Sequence, residues 1–404
     1  MPLRPPAGFI SAFFDPLNNP NAPTIGTATG GDASASVAFT PPANVGGSAI
    51  SSYSAISTPQ GVIASAASSP ISVTGLTNGT AYTFAVWATN TYGPSAYSAS
   101  SNSASPVASL AVFAGGYNSF NSQQSTVQYV NIATTGDYAY FGALVQAGYQ
   151  GTGFGSTTRG IYGGFYNSGD VNVIQYITFS TTGDATDFGD MISANRLRAG
   201  FNSSTRGIFA GGATIFGGES AAIEYVTMAS TGNGTSFGDL LGGGKAAGFS
   251  SPTRGVCTRS PFSSVSNIIE YVTIATTSNA TDFGDLTVAR AYMGSGSNST
   301  RGIFGGGGTA AGSTAINVID YVTIASTGNA TDFGDTVPEV TWLAGASSPT
   351  RVVFAGARDI SGTSINWSDY VTIASTGNSV DFGSLATSAA GFCGGCSNVN
   401  GGVQ

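Results

Sequence analysis

Histidine is absent from the 404 residues, and charge is scarce: 12 Lys plus Arg and 20 Asp plus Glu, 8% of the chain, against about 25% in an average soluble protein. Without imidazole there is no Ser-His-Asp or Cys-His nucleophile system, no His-ligated zinc, and no side chain that is ordinarily a base near neutrality. Paired carboxylates remain open as catalysts. The few basic residues and the net charge of −8 argue against nucleic acid or an anionic membrane as partner. Cys257, Cys393 and Cys396 are an odd number of cysteines in a long chain and imply no disulfide framework. No apolar run approaches the roughly 18 residues of a membrane span. The opening MPLRPPAGFISAFFDPLNNP does not read as a signal peptide, because Asp15 and Pro16 break a short apolar stretch that no small-residue cleavage site follows. The expectation is a chain not exported by the standard route.

What is present is glycine, 59 residues, with 41% apolar content that argues against disorder. Residues 1–20 set Phe9, Ile10, Phe13 and Phe14 among five prolines. Proline at that density blocks helix and central strand, while the aromatic cluster is costly to leave in water. An extended arm that docks on another subunit is expected. Residues 21–107 read as short alternating runs (ASASVAFTPP, SAISSYSAIS, SPISVTGL, AYTFAVWATN, SAYSASSNSAS) separated by turn residues, the pattern of an all-β sandwich. Leu76 stands six residues before Tyr82, the spacing of a tyrosine corner. This segment resembles a fibronectin type III domain, with Phe39 where that family normally has Trp; the resemblance implies a spacer or adhesion module without catalysis.

Residues 108–404 repeat. A Tyr opens an apolar run at Tyr129, Tyr176, Tyr225, Tyr271, Tyr321 and Tyr370, and a Phe-Gly pair follows twelve residues later at Phe141, Phe188, Phe237, Phe283, Phe333 and Phe382. Both series step by 47, 49, 46, 50 and 49 residues. Each unit reads as four strands, a to d: in one copy AYMGSGSN, RGIFGGG, INVIDYVTIAS and ATDFGDL. Alternation puts Tyr321, Thr323 and Ala325 on one face and Val322 and Ile324 on the other. Four strands per repeat, six times, is a propeller pattern, and the order of Gly-Gly, Tyr strand, aromatic and basic residue resembles a divergent kelch repeat. SLAVFAGG (109–116) is a strand b with no strand a before it, and AAGFCGGCSN (389–398) a strand a with no b after it. The two ends are expected to pair and close the ring.

An Arg opens strand b at Arg159, Arg206, Arg254, Arg301 and Arg351, and an acid precedes the Tyr at Glu224, Glu270, Asp320 and Asp369. Structural ion pairs Arg206–Glu224, Arg254–Glu270, Arg301–Asp320 and Arg351–Asp369 are expected. Leu110 and Gln128 lose both charges together, whereas Arg159 faces Gln175. Asp187/Asp190, Asp282/Asp285 and Asp332/Asp335 lack the alternating oxygen ligands of a calcium loop and read as turn caps. Cys393-Gly-Gly-Cys396 lacks a second ligand pair and reads as buried thiols, and the NATD and NGTS sequons as unused turns. No metal and no cofactor is expected.

Length variation falls in the b–c connection: Arg to Tyr is 17, 19, 17, 20 and 19 residues, while Phe to Arg is 18, 18, 17, 18 and 18. The b–c and d–a loops share one face, and the other face repeats nearly verbatim and reads as scaffold. Tyr117, Phe120, Phe165, Tyr166, Phe216, Phe262, Trp342, Arg358 and Trp367 are therefore candidates for a binding surface suited to sugar rings or a protein epitope.

The sandwich joined to YVTIASTGNATDFGD repeats resembles virion structural proteins of marine and cyanobacterial tailed phages. The resemblance implies a non-enzymatic fibre, decoration or neck or tail appendage in several copies, held to other virion proteins by its arm, on the outside of a particle assembled in the host cytoplasm. Two alternatives are a secreted bacterial adhesin and a carbohydrate-active enzyme; for the latter the only non-repeated acids, Asp170, Glu219, Glu339 and Asp359, belong to different units.

Overall fold

The computed structural model describes residues 17–118, 122–214, 217–309, 314–386, 389–390 and 394–399. The described residues contain strands, turns and no helix, every strand pair is antiparallel, and the chain divides into two compact units between Ala108 and Ser109.

The first unit has two sheets. One orders Thr24–Gly31, Ser34–Thr40 and Ile71–Thr74; the other orders Ile63–Ala66, Ser52–Thr58, Thr83–Asn90 and Gly93–Pro94. Their alternating inner residues, among them Val37, Phe39, Ala55, Val73 and Phe84, form one core. The Tyr82 hydroxyl accepts the Thr77 amide at 3.0 Å and donates to Gln60 Oε1. The chain is packed from Asn18 on: its amide donates to Gly46 O, and its carbonyl accepts Asn90 Nδ2. The run SAYSASSNSAS, read as an alternating strand, instead follows a three-residue period. Ser95, Ser98 and Ser101 donate their amides to Ala88, Val86 and Phe84, and their hydroxyls accept the amides of those same residues at 2.9–3.0 Å. A hydroxyl thus stands in for the carbonyl that a ladder would supply.

The second unit consists of four-stranded sheets in the order a-b-c-d. In the first, Gly394–Ser397 pairs with Leu110–Ala114, followed by Thr126–Asn131 and Ala139–Ala143, so the two ends of the unit complete one sheet. The second holds Thr152–Gly155, Arg159–Gly163, Val173–Thr178 and Thr186–Asp190; the third Ala199–Asn202, Arg206–Ala210, Ala222–Thr227 and Thr235–Asp239. The fourth holds Gly248–Ser250, Arg254–Thr258, Ser266–Thr273 and Thr281–Arg290. The fifth holds Gly294–Ser297, Arg301–Gly305, Thr314–Thr323 and Thr331–Val340, with the short Gly308–Thr309 beside it, and the sixth Ala344–Ser347, Arg351–Arg358, Ser364–Thr372 and Val380–Ser384.

Contacts between these sheets run in a cycle. Each strand a touches that of the sheets before and after, and the sixth returns to the first. Six apolar clusters each join two successive sheets: Phe154 and Phe188 meet Phe209 and Val226, and the last joins Val353 and Phe382 to Phe113 and Val130. Side-chain oxygens in the c–d turns bond the preceding sheet. Asp184, Asn233, Asn279, Asn329 and Asn378 accept the amides of Ala143, Asp190, Asp239, Asp285 and Asp335, and Asp137 accepts Ser384 from the sixth sheet. The Asn of the NATD and NGTS sequons is therefore a fastener between sheets. The fixed Tyr-to-Phe spacing has a local cause, since each Tyr meets its Phe edge to face at 5.7–6.2 Å.

The four expected ion pairs do not form. Arg206 registers with Thr227 and Phe209 with Glu224, so Glu224 lies three residues from the Arg partner and projects from the opposite face of the sheet. The other three repeats share this offset. Each Arg instead stacks on the Tyr of its own sheet, with its guanidinium carbon 4.4–4.7 Å from the ring centre. It donates to carbonyls ending strand c of the next sheet: Arg206 to Ile274 and Ala275, Arg254 to Ile324, Arg301 to Ile373, Arg351 to Ile132 and Ala133. The acids serve as acceptors for the chain arriving from the previous sheet. Glu224 takes the Ile192 amide, Glu270 Leu241 and Asp320 Thr287. Gln175 takes Gln146 and Gln128 takes Ala386. An amide oxygen does this as well as a carboxylate, which is why Gln and acid interchange there. Asp187, Asp282 and Asp332 lie within strand d rather than capping a turn.

Candidate functional site

The d–a segments carry the chain from the outer strand of one sheet to the inner strand of the next around the centre of the second unit. Two residues before strand a, Gln150, Leu197, Tyr292 and Trp342 all have φ between 60 and 62°. A non-glycine residue held there costs about 1–3 kcal/mol, and such residues gather at ligand sites. They are locked in sequence: Leu197 N donates to Gln150 O, Ala246 N to Leu197 O, and Trp342 N to Tyr292 O. All four line a central cavity of about 100 Å³ together with Arg198, Met293 and Leu343.

Aromatic and cationic groups surround this mouth. Tyr292 and Trp342 stack at 3.4 Å with 28° between planes. Tyr149 lies 4.8 Å from Tyr117 and 5.3 Å from Tyr166. Arg196 stands 4.7 Å over Tyr166 and 3.3 Å from Asp170. Lys245 Nζ donates to the Phe262 and Ser264 carbonyls and lies 4.9 Å from the Tyr292 ring centre and 5.6 Å from that of Phe262. Burial pushes Lys245 down to about 8, with Glu219 opposing, and pushes Tyr292 up to about 12, with Arg196 opposing. Tyr149 is also raised, by burial and then by Tyr166 and Tyr117, while Arg196 and Arg358 pull it down.

Of the expected surface residues, Tyr117, Tyr166, Phe262, Trp342 and Arg358 belong to this region; Arg358 exchanges both backbone bonds with Thr341, next to Trp342. Phe165 does not. It is wholly buried between the first two sheets, where a Cβ on Gly151 would stand 2.3 Å from its ring, so glycine is kept to admit the phenyl group. Trp367 is a packing residue as well: it lies against the core of the fifth and sixth sheets, and its Nε1 donates to Val337 O at 2.9 Å. Phe120, Phe216, Cys393 and the arm residues Phe9, Ile10, Phe13 and Phe14 lie outside the described residues. Cys257 and Cys396 are buried free thiols; burial raises both, Cys396 to about 12.

In the sequence the repeated Arg masks the cations of the mouth. Arg196, Arg198, Lys245, Arg259, Arg290 and Arg358 are the non-repeated cations of the second unit, and all belong to d–a or b–c segments or their strand ends. Three form ion pairs at 2.7–2.8 Å: Arg198–Glu224 and Arg290–Asp320, both buried, and Arg259–Glu270, in which the Arg is half-buried. Asp170 faces Arg196, Glu219 accepts the Phe262 amide, Asp359 caps Ser361 and Thr363, and Glu339 is exposed.

Outside the mouth, the residue four places after the Phe of strand d is an exposed aliphatic in four repeats: Val145, Ile192, Leu241 and Val337 are 56–62% exposed. The opposite face repeats Ser, Thr, Gly and Asn. No family model matches the chain, and no curated protein is significantly similar to it.

Proposed function

We propose that the protein is a non-enzymatic appendage of a tailed-phage virion, built of a fibronectin type III-like sandwich and a six-bladed, kelch-like propeller that presents its b–c and d–a face to a host-surface glycan or protein. The cyclic clusters and cross-sheet bonds support the propeller reading, and the Tyr82–Thr77 bond with the two-sheet core supports the sandwich reading. The observation that carries the functional reading is the inequality of the two faces. One concentrates strained aromatics, non-repeated cations and exposed aliphatics, the composition of a contact surface; the other is repetitive and polar. The virion setting rests on the resemblance of the repeats, and the arm of residues 1–20 is the proposed link to other virion proteins. Mass spectrometry of purified particles tests it. The chain is expected in several copies per particle, with a deletion of residues 1–20 failing to incorporate. Recovery from culture supernatant, with none in particles, would replace the virion reading by that of a secreted adhesin.

A further inference from the structure

The first unit is almost free of charge. From residue 17 to residue 108 the only charged side chain is Asp32, whereas the second unit holds eighteen acids against eleven Lys and Arg. On the outer face of the sheet formed by Ile63–Ala66, Ser52–Thr58 and Thr83–Asn90, alternation brings Ile63, Ile56, Ala85 and Trp87 together. Ile56 is in register with both Ile63 and Ala85, and Trp87 with Ser54. Tyr97 comes from the serine segment bonded along Thr83–Asn90 and meets the Trp87 indole edge to face at 5.2 Å and 82°. Ile63 and Tyr97 are 58% and 59% exposed. The two hydroxyls between these apolar groups are spent on each other, because Ser54 and Ser65 share a hydrogen bond of 2.8 Å.

An uncharged sheet face with aromatic anchors has the composition of an interface core, and charge and area say what meets it. A partner that laid Lys, Arg, Asp or Glu on this face would lose water and find no counter-charge. The surface that fits is itself apolar and uncharged, and this same face supplies one in every copy of the chain. Copies that met through their second units would oppose two bodies of net charge −7, while copies that meet here bring no like charges together. Area sets the strength. Four rows about 4.8 Å apart, at about 3.3 Å per residue, give strands of seven and eight residues a face of roughly 500 Å². Two such faces cover about 1,000 Å², the lower limit of a specific contact.

We propose that this face seats the same face of a second copy of the chain, an isologous contact in which Ile63, Trp87 and Tyr97 of each copy pack across a two-fold axis. A contact of that area is weak in dilute solution and is reinforced wherever copies are already held close to one another. It lies in the first unit and is independent of the reading given to the b–c and d–a face of the second.

Sedimentation equilibrium of the full chain over a rising concentration series tests it. A reversible monomer–dimer equilibrium is expected, and raising the salt does not dissociate it, because no ion pair crosses the contact. Ile63→Glu and Tyr97→Glu change positions that are exposed in the single chain. Each is expected to weaken dimerisation at least about tenfold, since two carboxylates are then set in one uncharged contact, with an unchanged melting temperature. Ser36→Glu, at an exposed position on the outer face of the other sheet, is the control and is expected to dimerise like the parent. A chain that stays monomeric throughout the series overturns the proposal. So does a dimer that both face variants leave intact, or one that Ser36→Glu weakens as much as they do. A dimer that salt dissolves shows a contact made by charges, which only the second unit carries in number, and overturns it as well.

Discussion

Asp369 is the residue at which the acceptor position of strand c is least well matched. Glu224, Glu270 and Asp320 each have an arginine at 2.7–2.8 Å; Asp369 is buried and takes instead the Ser379 hydroxyl at 2.5 Å. Burial raises its pKa, with Ser379 and the Val337 amide opposing. A carboxyl raised in the folded state binds its proton more tightly there than in the unfolded chain. Stability from this group is therefore complete below the ordinary value near 3.9 and falls as pH rises through the raised one. Gln128 and Gln175 fill the same position in other sheets, so Asp369→Asn keeps the acceptor. The variant is expected to gain stability relative to the parent as pH is taken from 3 to 7 in thermal melts, and a difference that does not change with pH would show that Asp369 is ionised at no cost. The same position shows what a linear sequence hides. Composition alone pairs Arg with acid, but a three-residue offset in antiparallel strands sends the two side chains to opposite faces. The interchange of acid and Gln was the visible signal that an oxygen, and not a charge, is what the site requires.

At the scale of elements, the Phe-Gly pair of strand d owes its glycine to the neighbouring sheet. Gly284 has φ +147°, and a Cβ there would lie 2.4 Å from the Gly328 carbonyl oxygen in the next c–d turn. Gly328 itself has φ +157° but nothing within 4 Å of its Cβ position. Gly284→Ala is expected to destabilise by about 2–4 kcal/mol, from conformation and clash together, and Gly328→Ala by clearly less, both read from denaturant unfolding. Equal losses would mean that the backbone angle alone matters and that the sheets do not approach as described. Strand periodicity and the fixed spacing of Tyr and Phe were legible in the sequence because each reflects contact within one sheet. The serine edge after Pro94 was not, since its three-residue period with hydroxyl acceptors has the same composition as an alternating strand.

For the whole molecule, the repeat length and the half-units at 109–116 and 389–398 announced a cycle, and the pairing of Gly394–Ser397 with Leu110–Ala114 follows it. The site was only partly legible. Loop lengths pointed to the variable face as the binding surface, whereas the central cavity is made by d–a segments of nearly constant length, where Gln150, Leu197 and Tyr292 carry no compositional mark. Their distinguishing feature is a backbone angle, which spacing does not reveal. Closure of the cycle is the central claim, because it brings residues from four sheets to one mouth. Hydrogen exchange of the intact chain, followed by mass spectrometry on peptides covering 110–114 and 394–399, tests it most directly. If the ring is closed, both peptides exchange with the slow rate of strands b and c in the third and fourth sheets, opening only when the unit unfolds. Fast exchange at 394–399, while those inner strands stay protected, would show an end that hangs free and would contradict the account.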